Sequence, residues 1–338
     1  MRMPPQDTHT SGDAAAPLLA VENMSVRFAT RRGTLTAIDD ISFSIGAGEI
    51  LGVVGESGAG KSLTGTAIVG LIDPPGRVTD GRVTLAGRRI DNLPPEAMRH
   101  VRGREIGTIF QDPLTSLNPL MTVGRQLSET IGVHMGLGQG AARERAISLL
   151  RDVGIPAPER RIDSFPHAFS GGMRQRVVIA LALCADPKLI IADEPTTALD
   201  VSIQAQVINL LKRLVRERGV GVMLVTHDMG VIAEIADRVA VMYAGRIVEI
   251  GPVREVLKAP KHPYTAGHMG AIPRIGHGER LVQIDGAMPR LAAIPPGCAF
   301  NPRCGRVMDV CRVTRPELVP VARSRAACLL YDPGEGMS

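Results

Sequence analysis

A glycine-rich stretch constrains this chain more than any other feature. Residues 55–62 read Gly-Glu-Ser-Gly-Ala-Gly-Lys-Ser and follow the apolar run 50–54 without a break. The spacing fits G-x-x-x-x-G-K-[ST]. Its context is the one this phosphate-binding loop requires, a buried strand before it and a helix-compatible segment, 61–71, after it. Glycines here let the backbone curl until successive N–H groups point inward, and the following helix adds the positive end of its dipole. Gly55, Ser57, Gly58 and Gly60 are therefore candidate phosphate-binding positions. Lys61 would reach the β- and γ-phosphates as a point charge, and the Ser62 hydroxyl would ligate Mg2+.

Such a loop belongs to a sheet covered on both faces, and the composition agrees. The chain has no Trp and only 6 Phe and 3 Tyr against 37 Gly, with 44% hydrophobic residues. That balance suits an α/β fold whose strands are apolar on both sides. A length of 338 residues implies one large domain with an appendage, or two domains. The net charge is +5, but Lys and Arg are mixed with Asp and Glu throughout. With few aromatics to stack on bases, nucleic acid is not an expected partner. No run approaches 18 apolar residues, and positions 1–17 are polar and lack the apolar core of a signal peptide, so a cytosolic location is expected.

Along the chain, 18–28 and 37–45 alternate apolar with polar residues as half-buried strands do, with a turn at 31–33. Phe28, near the end of the first, would either stack on an adenine or pack in the core. A break at 73–76 precedes a hairpin, 82–85 with 88–90, around Gly87; 94–102 is a short helical stretch. Strand 106–110 runs into Gln111. From 123 to 153 the period is helical, interrupted at 136–140 and ended by prolines 156 and 158, which reads as a helical insertion. Next comes Ser170-Gly171-Gly172-Met173-Arg174-Gln175-Arg176, opening the apolar helix 177–184. Helix N-termini attract anions, so this is a second phosphate-contacting candidate, one that two chains facing each other would bring to a shared phosphate.

Strand 189–192 ends in Asp193-Glu194-Pro195. Adjacent carboxylates at the end of a buried strand are costly without a role; one would hold Mg2+ and the other orient a nucleophilic water. Ala198-Leu199-Asp200 leads into helix 203–218, and strand 220–226 ends in His227, at the carboxyl end where open α/β sheets place their ligands. A hairpin, 238–243 with 246–250, and a short helix, 252–259, complete this part.

In this order and spacing the motifs resemble the ATP-binding cassette (ABC) family over about residues 18–270. The resemblance makes 55–62 the Walker A loop, Gln111 the Q-loop glutamine and a ligand of Mg2+ with Ser62 and Asp193, and Ser170, Gly171 and Gly172 the core of the signature loop. Asp193 becomes the Walker B aspartate, Glu194 the catalytic base, Asp200 the D-loop aspartate and His227 the switch histidine. Phe28 matches the aromatic A-loop position. The signature reads Phe-Ser-Gly-Gly-Met where the family has Leu-Ser-Gly-Gly-Gln, and it keeps the Ser and both Gly residues. A soluble cassette ATPase acting on DNA or ribosomes would carry two cassettes or a long coiled coil, and neither is present.

Phe-Gln-Asp-Pro-Leu-Thr-Ser-Leu-Asn-Pro at 110–119 and His262-Pro263-Tyr264-Thr265 look like the oligopeptide/dipeptide permease branch. The resemblance implies a P-loop NTPase core with an antiparallel β subdomain and a helical insertion, 18–258 with 112–170 helical. A flexible tail, 1–17, would precede it and a small irregular extension, 259–338, would follow. It also implies ATP and Mg2+ as ligands and location at the cytoplasmic face of the membrane. The partners would be a second, paralogous ATPase subunit, two membrane permease subunits and a substrate-binding protein. The cargo would be a di- or oligopeptide, with nickel or glutathione as alternatives.

The extension carries Cys298, Cys304, Cys311 and Cys328, spaced C-x5-C-x6-C-x16-C. In a reducing compartment four cysteines argue for metal or cluster ligation over disulfides. The spacing admits tetrahedral Zn2+ or an iron–sulfur cluster. The stretch 297–304 resembles the permease-ATPase extension, some members of which hold a [4Fe–4S] cluster, and so favours the cluster over Zn2+. Cys184, in an apolar helix, is expected in the core.

Overall fold

A computed structural model describes residues 16–31, 33–197, 199–270 and 284–331. Most of the expected N-terminal tail, Ala198 of the D-loop, and 271–283 and 332–338 of the extension lie outside the described residues. The strands are β1 (Leu19–Thr30), β2 (Gly33–Ile45), β3 (Ile50–Val54), β4 (Gly76–Leu85), β5 (Arg88–Arg89) and β6 (Ile106–Ile109). They continue with β7 (Leu189–Asp193), β8 (Gly221–Val225), β9 (Arg238–Tyr243), β10 (Arg246–Pro252), β11 (Val319–Val321) and β12 (Ser324–Ala326). They form an antiparallel sheet in the order β2-β1-β4-β5 and a larger sheet in the order β11-β12-β10-β9-β3-β8-β7-β6.

In the larger sheet, β6, β7, β8, β3 and β9 are mutually parallel, while β10, β12 and β11 extend the edge antiparallel. β3 is buried along its whole length because both faces are covered. Ile50 and Val54 enter one core, with the helical region and helix Gly171–Ala182. Leu51 and Val53 enter the other, with β1, β2 and helix Lys61–Ile68. The parallel arrangement brings the carboxyl ends of β3, β6, β7 and β8 to one edge, where 55–62, Gln111, Glu194 and His227 follow. That edge is where such sheets bind ligands.

Helices Val123–Met135 and Gln139–Asp152 pack on one another as the helical insertion. Gly136 ends the first in the left-handed conformation at φ 68°. β4 begins six residues before the expected hairpin strand. Residues 76–81 lack alternation because the β1–β4 register shifts between Glu22 and Ser25, with Gly81 at φ 95° lying 2.5 Å, by its notional Cβ, from the Asn23 carbonyl oxygen. Helix 171–182 starts earlier than its apolar residues suggest, since the Ser170 hydroxyl accepts from the Met173 N–H and caps it.

The C-terminal extension joins the larger sheet. It consists largely of turns and short 3-10 segments, but β12 pairs with β10 through Glu249↔Ala326 and Ile250↔Arg325. Glu249, fully buried, accepts the Lys261 N–H at 2.8 Å and the His262 N–H at 2.9 Å, which fastens the start of the extension beneath the sheet edge. The rings of Tyr243, Tyr264 and Phe300 meet there at centroid separations of 4.7, 5.3 and 5.5 Å.

Candidate nucleotide site

The loop after β3 closes around a cavity of about 680 Å3. Its lining includes Gly55, Ser57, Gly58, Gly60, Lys61 and Ser62, with Gln111, Glu194 and His227 from neighbouring strand ends. Gly55 takes φ 151°, and a Cβ there would collide with the Met242 carbonyl oxygen. Gly58, at φ 83°, has open space where a Cβ would stand. Only glycine lets the loop turn this tightly against β9 and keep its inner face bare. Lys61 is 7% exposed and donates to the Gly55 carbonyl at 2.8 Å and the Glu56 carbonyl at 3.1 Å. Burial pulls its ammonium below the ordinary lysine value, and the charges of Glu194, Asp193 and Glu56 oppose that.

Across the cavity, Glu194 is held at every polar atom. The Gln111 amide donates to Oε2 at 3.0 Å and the Thr197 hydroxyl to the same oxygen at 2.8 Å, while His227 Nδ1 lies 3.0 Å from Oε1. The Glu194 backbone is left-handed at φ 47°, and its N–H is pinned to the Val225 carbonyl at 2.8 Å. A non-glycine residue in that region costs about 1–3 kcal/mol and persists where surrounding contacts fix it. Burial pushes the Glu194 carboxyl up. Hydrogen bonds from His227 and Thr197 and the charges of His227 and Lys61 outweigh that, so it sits below the usual carboxylate value. It is therefore ionised at neutral pH, and His227 Nδ1–H is the donor to it.

Asp193 lies behind this pair and accepts from the Ser62 hydroxyl at 2.9 Å. Burial raises its carboxyl, Glu194 adds to the rise, and Ser62 and Lys61 oppose it. A hydroxyl and a partly buried carboxylate, both oxygen donors beside a bare phosphate cavity, are the donor set that suits Mg2+. The loop's inward backbone, Lys61 and the cavity's size suit a nucleoside triphosphate.

Several expected site residues lie elsewhere. Phe28 is half-buried beside Gly76 at the margin of the second core and is not among the residues lining this cavity. Ser170 and Gly171 are exposed, and Gly172 packs against Ile203 of helix Val201–Arg218. Asp200 caps that helix, accepting from the Ile203 N–H at 3.1 Å. These residues form a second surface, separate from the cavity of their own chain.

The four extension cysteines, Cys298, Cys304, Cys311 and Cys328, line one small cavity of about 20 Å3. Burial pushes the Cys298 thiol up to about 11, with neighbouring sulfurs adding, and raises Cys304 and Cys328. Among the described residues no group of three or more His, Cys, Asp or Glu side chains is spaced to hold a metal ion. The four cysteines converge on one cavity, but they make no group spaced to hold a metal ion, so the expected [4Fe–4S] or Zn2+ centre is not supported. Cys184 is buried in the core with its thiol pushed up to about 12.

Sequence reasoning passed over Thr197, Glu56, His268 and Leu291. Thr197 sits three residues beyond Glu194 and had a positional signal. His268 and Leu291 line the cavity from the extension, with nothing local to point to them.

Fold and site together define a P-loop nucleotide-binding cassette. Residues 38–197 match the family model described as ABC transporter, and 248–311 the model described as oligopeptide/dipeptide transporter, C-terminal region. The dipeptide transport ATP-binding protein DppD of Bacillus subtilis is 49% identical over 296 residues, covering 87% of this chain and 88% of that protein. The oligopeptide transport ATP-binding protein OppD of Salmonella typhimurium is 48% identical over 300 residues, covering 88% of this chain and 89% of that one. A dimeric structure of the ATP-binding cassette MJ0796 bound to ADP and Pi superposes with TM-score 0.63 at 28% identity, over 70% of this chain and 99% of its own. The chain belongs to the ABC transporter family, in its oligopeptide/dipeptide branch.

Proposed function

We infer that this chain binds ATP in the cavity beside residues 55–62 and hydrolyses it to drive peptide import. It is an ATPase, the ATP-binding subunit of a peptide ABC importer. The observation that carries the chemistry is Glu194, an ionised carboxylate held by Gln111, Thr197 and His227 across the cavity from Lys61.

Lys61 and the loop amides take up the negative charge of the phosphates. Ser62 and Asp193 would hold Mg2+, which when bound neutralises charge on the triphosphate. Glu194 accepts a proton from the attacking water, and Gln111, Thr197 and His227 keep its carboxylate aimed while that proton moves. On this reading residues 18–258 are the nucleotide-binding domain, and Gln111 connects its site to the helical region 112–170.

The exposed Ser170 and Gly171 support a second cassette facing this one head to tail, each lending its signature loop to the other's nucleotide, with Asp200 beside the seam. The likeness to a cassette solved as a dimer is in keeping with that pairing. The remaining partners are membrane permease subunits and an extracytoplasmic substrate-binding protein. On this reading the chain attaches at the cytoplasmic face through those permeases; no described helix is long and apolar enough to cross a membrane.

A cluster or metal on the four cysteines is a separate reading, supported only by their convergence on one cavity. Iron, sulfide and zinc analysis of anaerobically purified protein tests it, and protein free of all three would end it.

The function is tested by reconstituting the chain with its permeases in liposomes. ATP hydrolysis should rise when a peptide-loaded binding protein is added. An assembly that hydrolyses no ATP would overturn the enzyme assignment, and stimulation by nickel or glutathione alone would overturn the cargo.

A further inference from the structure

The P-loop contains an acid, Glu56, in a segment built to attract anions. An unpartnered carboxylate there would repel the triphosphate the loop is shaped to hold. Glu56 is anchored at three points. Its N–H donates to the Tyr264 hydroxyl oxygen at 2.9 Å, its carbonyl accepts from Lys61 Nζ at 3.1 Å, and both its carboxylate oxygens lie 3.1 Å from one guanidinium nitrogen of Arg303. Tyr264 and Arg303 both come from the C-terminal extension.

Arg303 is itself immobilised. Its side chain is 8% exposed, its Nε donates to the Asp285 carbonyl at 2.9 Å, and its remaining nitrogen faces the Gly286 and Ile284 carbonyls at 3.2 and 3.4 Å. The guanidinium carbon lies 5.9 Å from the Tyr243 ring centroid and 6.0 Å from that of Phe300. It stands at the end of the turn Asn301–Arg303, between Cys298 and Cys304, where the Asn301 amide ties down the Pro296 and Cys298 carbonyls at 2.9 and 2.8 Å. A fixed cation is thereby delivered to the one acid of the phosphate loop.

We propose that Arg303 and Tyr264 are positioning residues of the nucleotide site: the cysteine-bearing extension neutralises Glu56 and holds it, and through its carbonyl Lys61, in the arrangement that admits a triphosphate. Arg303 cancels the charge that opposes the phosphates. Tyr264 ties back the Glu56 N–H and fixes the first turn of the loop. The extension is then part of the ATP site as well as a cover for the sheet edge.

This inference rests on ATP binding at residues 55–62, and one titration separates the two claims. Equilibrium binding of radiolabelled ATP with Mg2+ to the purified full-length chain is measured for wild type, Arg303→Met, Arg303→Lys, Glu56→Gln and the double variant Arg303→Met/Glu56→Gln. Wild-type protein that binds no ATP would sink the nucleotide-site reading itself. With wild type binding, Arg303→Met should weaken affinity about tenfold at low salt, and the loss should shrink in high salt because it comes from like charges. Arg303→Lys should keep most of the affinity, Glu56→Gln should tighten it, and the double variant should recover to near wild type. A merely structural tie gives a different pattern, with no recovery in the double variant and a loss that follows the melting temperature and ignores salt. That pattern, or unchanged affinity in Arg303→Met, would overturn the proposal. If Arg303→Met does not fold, Glu56→Gln alone decides, and no tightening would reject it.

Discussion

Glu56 and Glu194 both line the nucleotide cavity, one in the loop after β3 and the other directly after β7, and they are held by different kinds of partner. Glu194 receives hydrogen bonds from an amide, a hydroxyl and an imidazole, which aim its carboxylate and leave its charge available. Glu56 faces a buried guanidinium that cancels its charge. An acid meant to take a proton must stay ionised and basic, whereas an acid beside a phosphate cradle must be silenced. The partner's chemistry separates the two roles better than distance from the cavity does.

Substitutions around the cavity probe this contrast. The largest effect is expected from Lys61→Ala, which removes the cavity's buried cation; kcat/KM for ATP in the reconstituted transporter should fall by about 10^3. Neutralising the guanidinium in Arg303→Met should act on affinity, about tenfold, with little change in kcat. Thr197→Val takes one donor from Glu194 while Gln111 and His227 still hold it, so kcat should drop only about fivefold with KM unchanged. A KM effect in Thr197→Val, or a kcat effect in Arg303→Met, would blur the distinction between the two acids.

The pH dependence follows the same division. The Glu194 carboxyl lies below its ordinary value, so its hydrogen bonds stabilise the fold above the unfolded carboxylate value. That contribution is lost as pH falls through the folded value. Melting temperatures between pH 7 and pH 3 should show Glu194→Gln losing less stability on acidification than wild type.

Glu194 was legible in the sequence because its setting is local. A buried apolar strand ending in two acids states its own desolvation problem, and the parallel order of β6, β7, β8 and β3 brings Gln111, His227 and the P-loop to the same edge. The partner of Glu56 was not legible. Arg303 lies 247 residues further on, beside cysteines that drew attention to metal chemistry instead. The extension's strands escaped for a related reason. β11 and β12 are three residues each, Val-Pro-Val and Ser-Arg-Ala, too short for alternation and with a proline tolerated only because β11 is the sheet edge.

The most direct measurement is ATP turnover against ATP concentration for Glu194→Gln and Arg303→Met, side by side in the reconstituted transporter. Glu194→Gln should retain ATP affinity and lose at least about 100-fold in kcat, while Arg303→Met should raise KM about tenfold and keep kcat within about twofold. Near-normal turnover in Glu194→Gln, or the same kinetic parameter failing in both variants, would contradict the division of roles between the two acids.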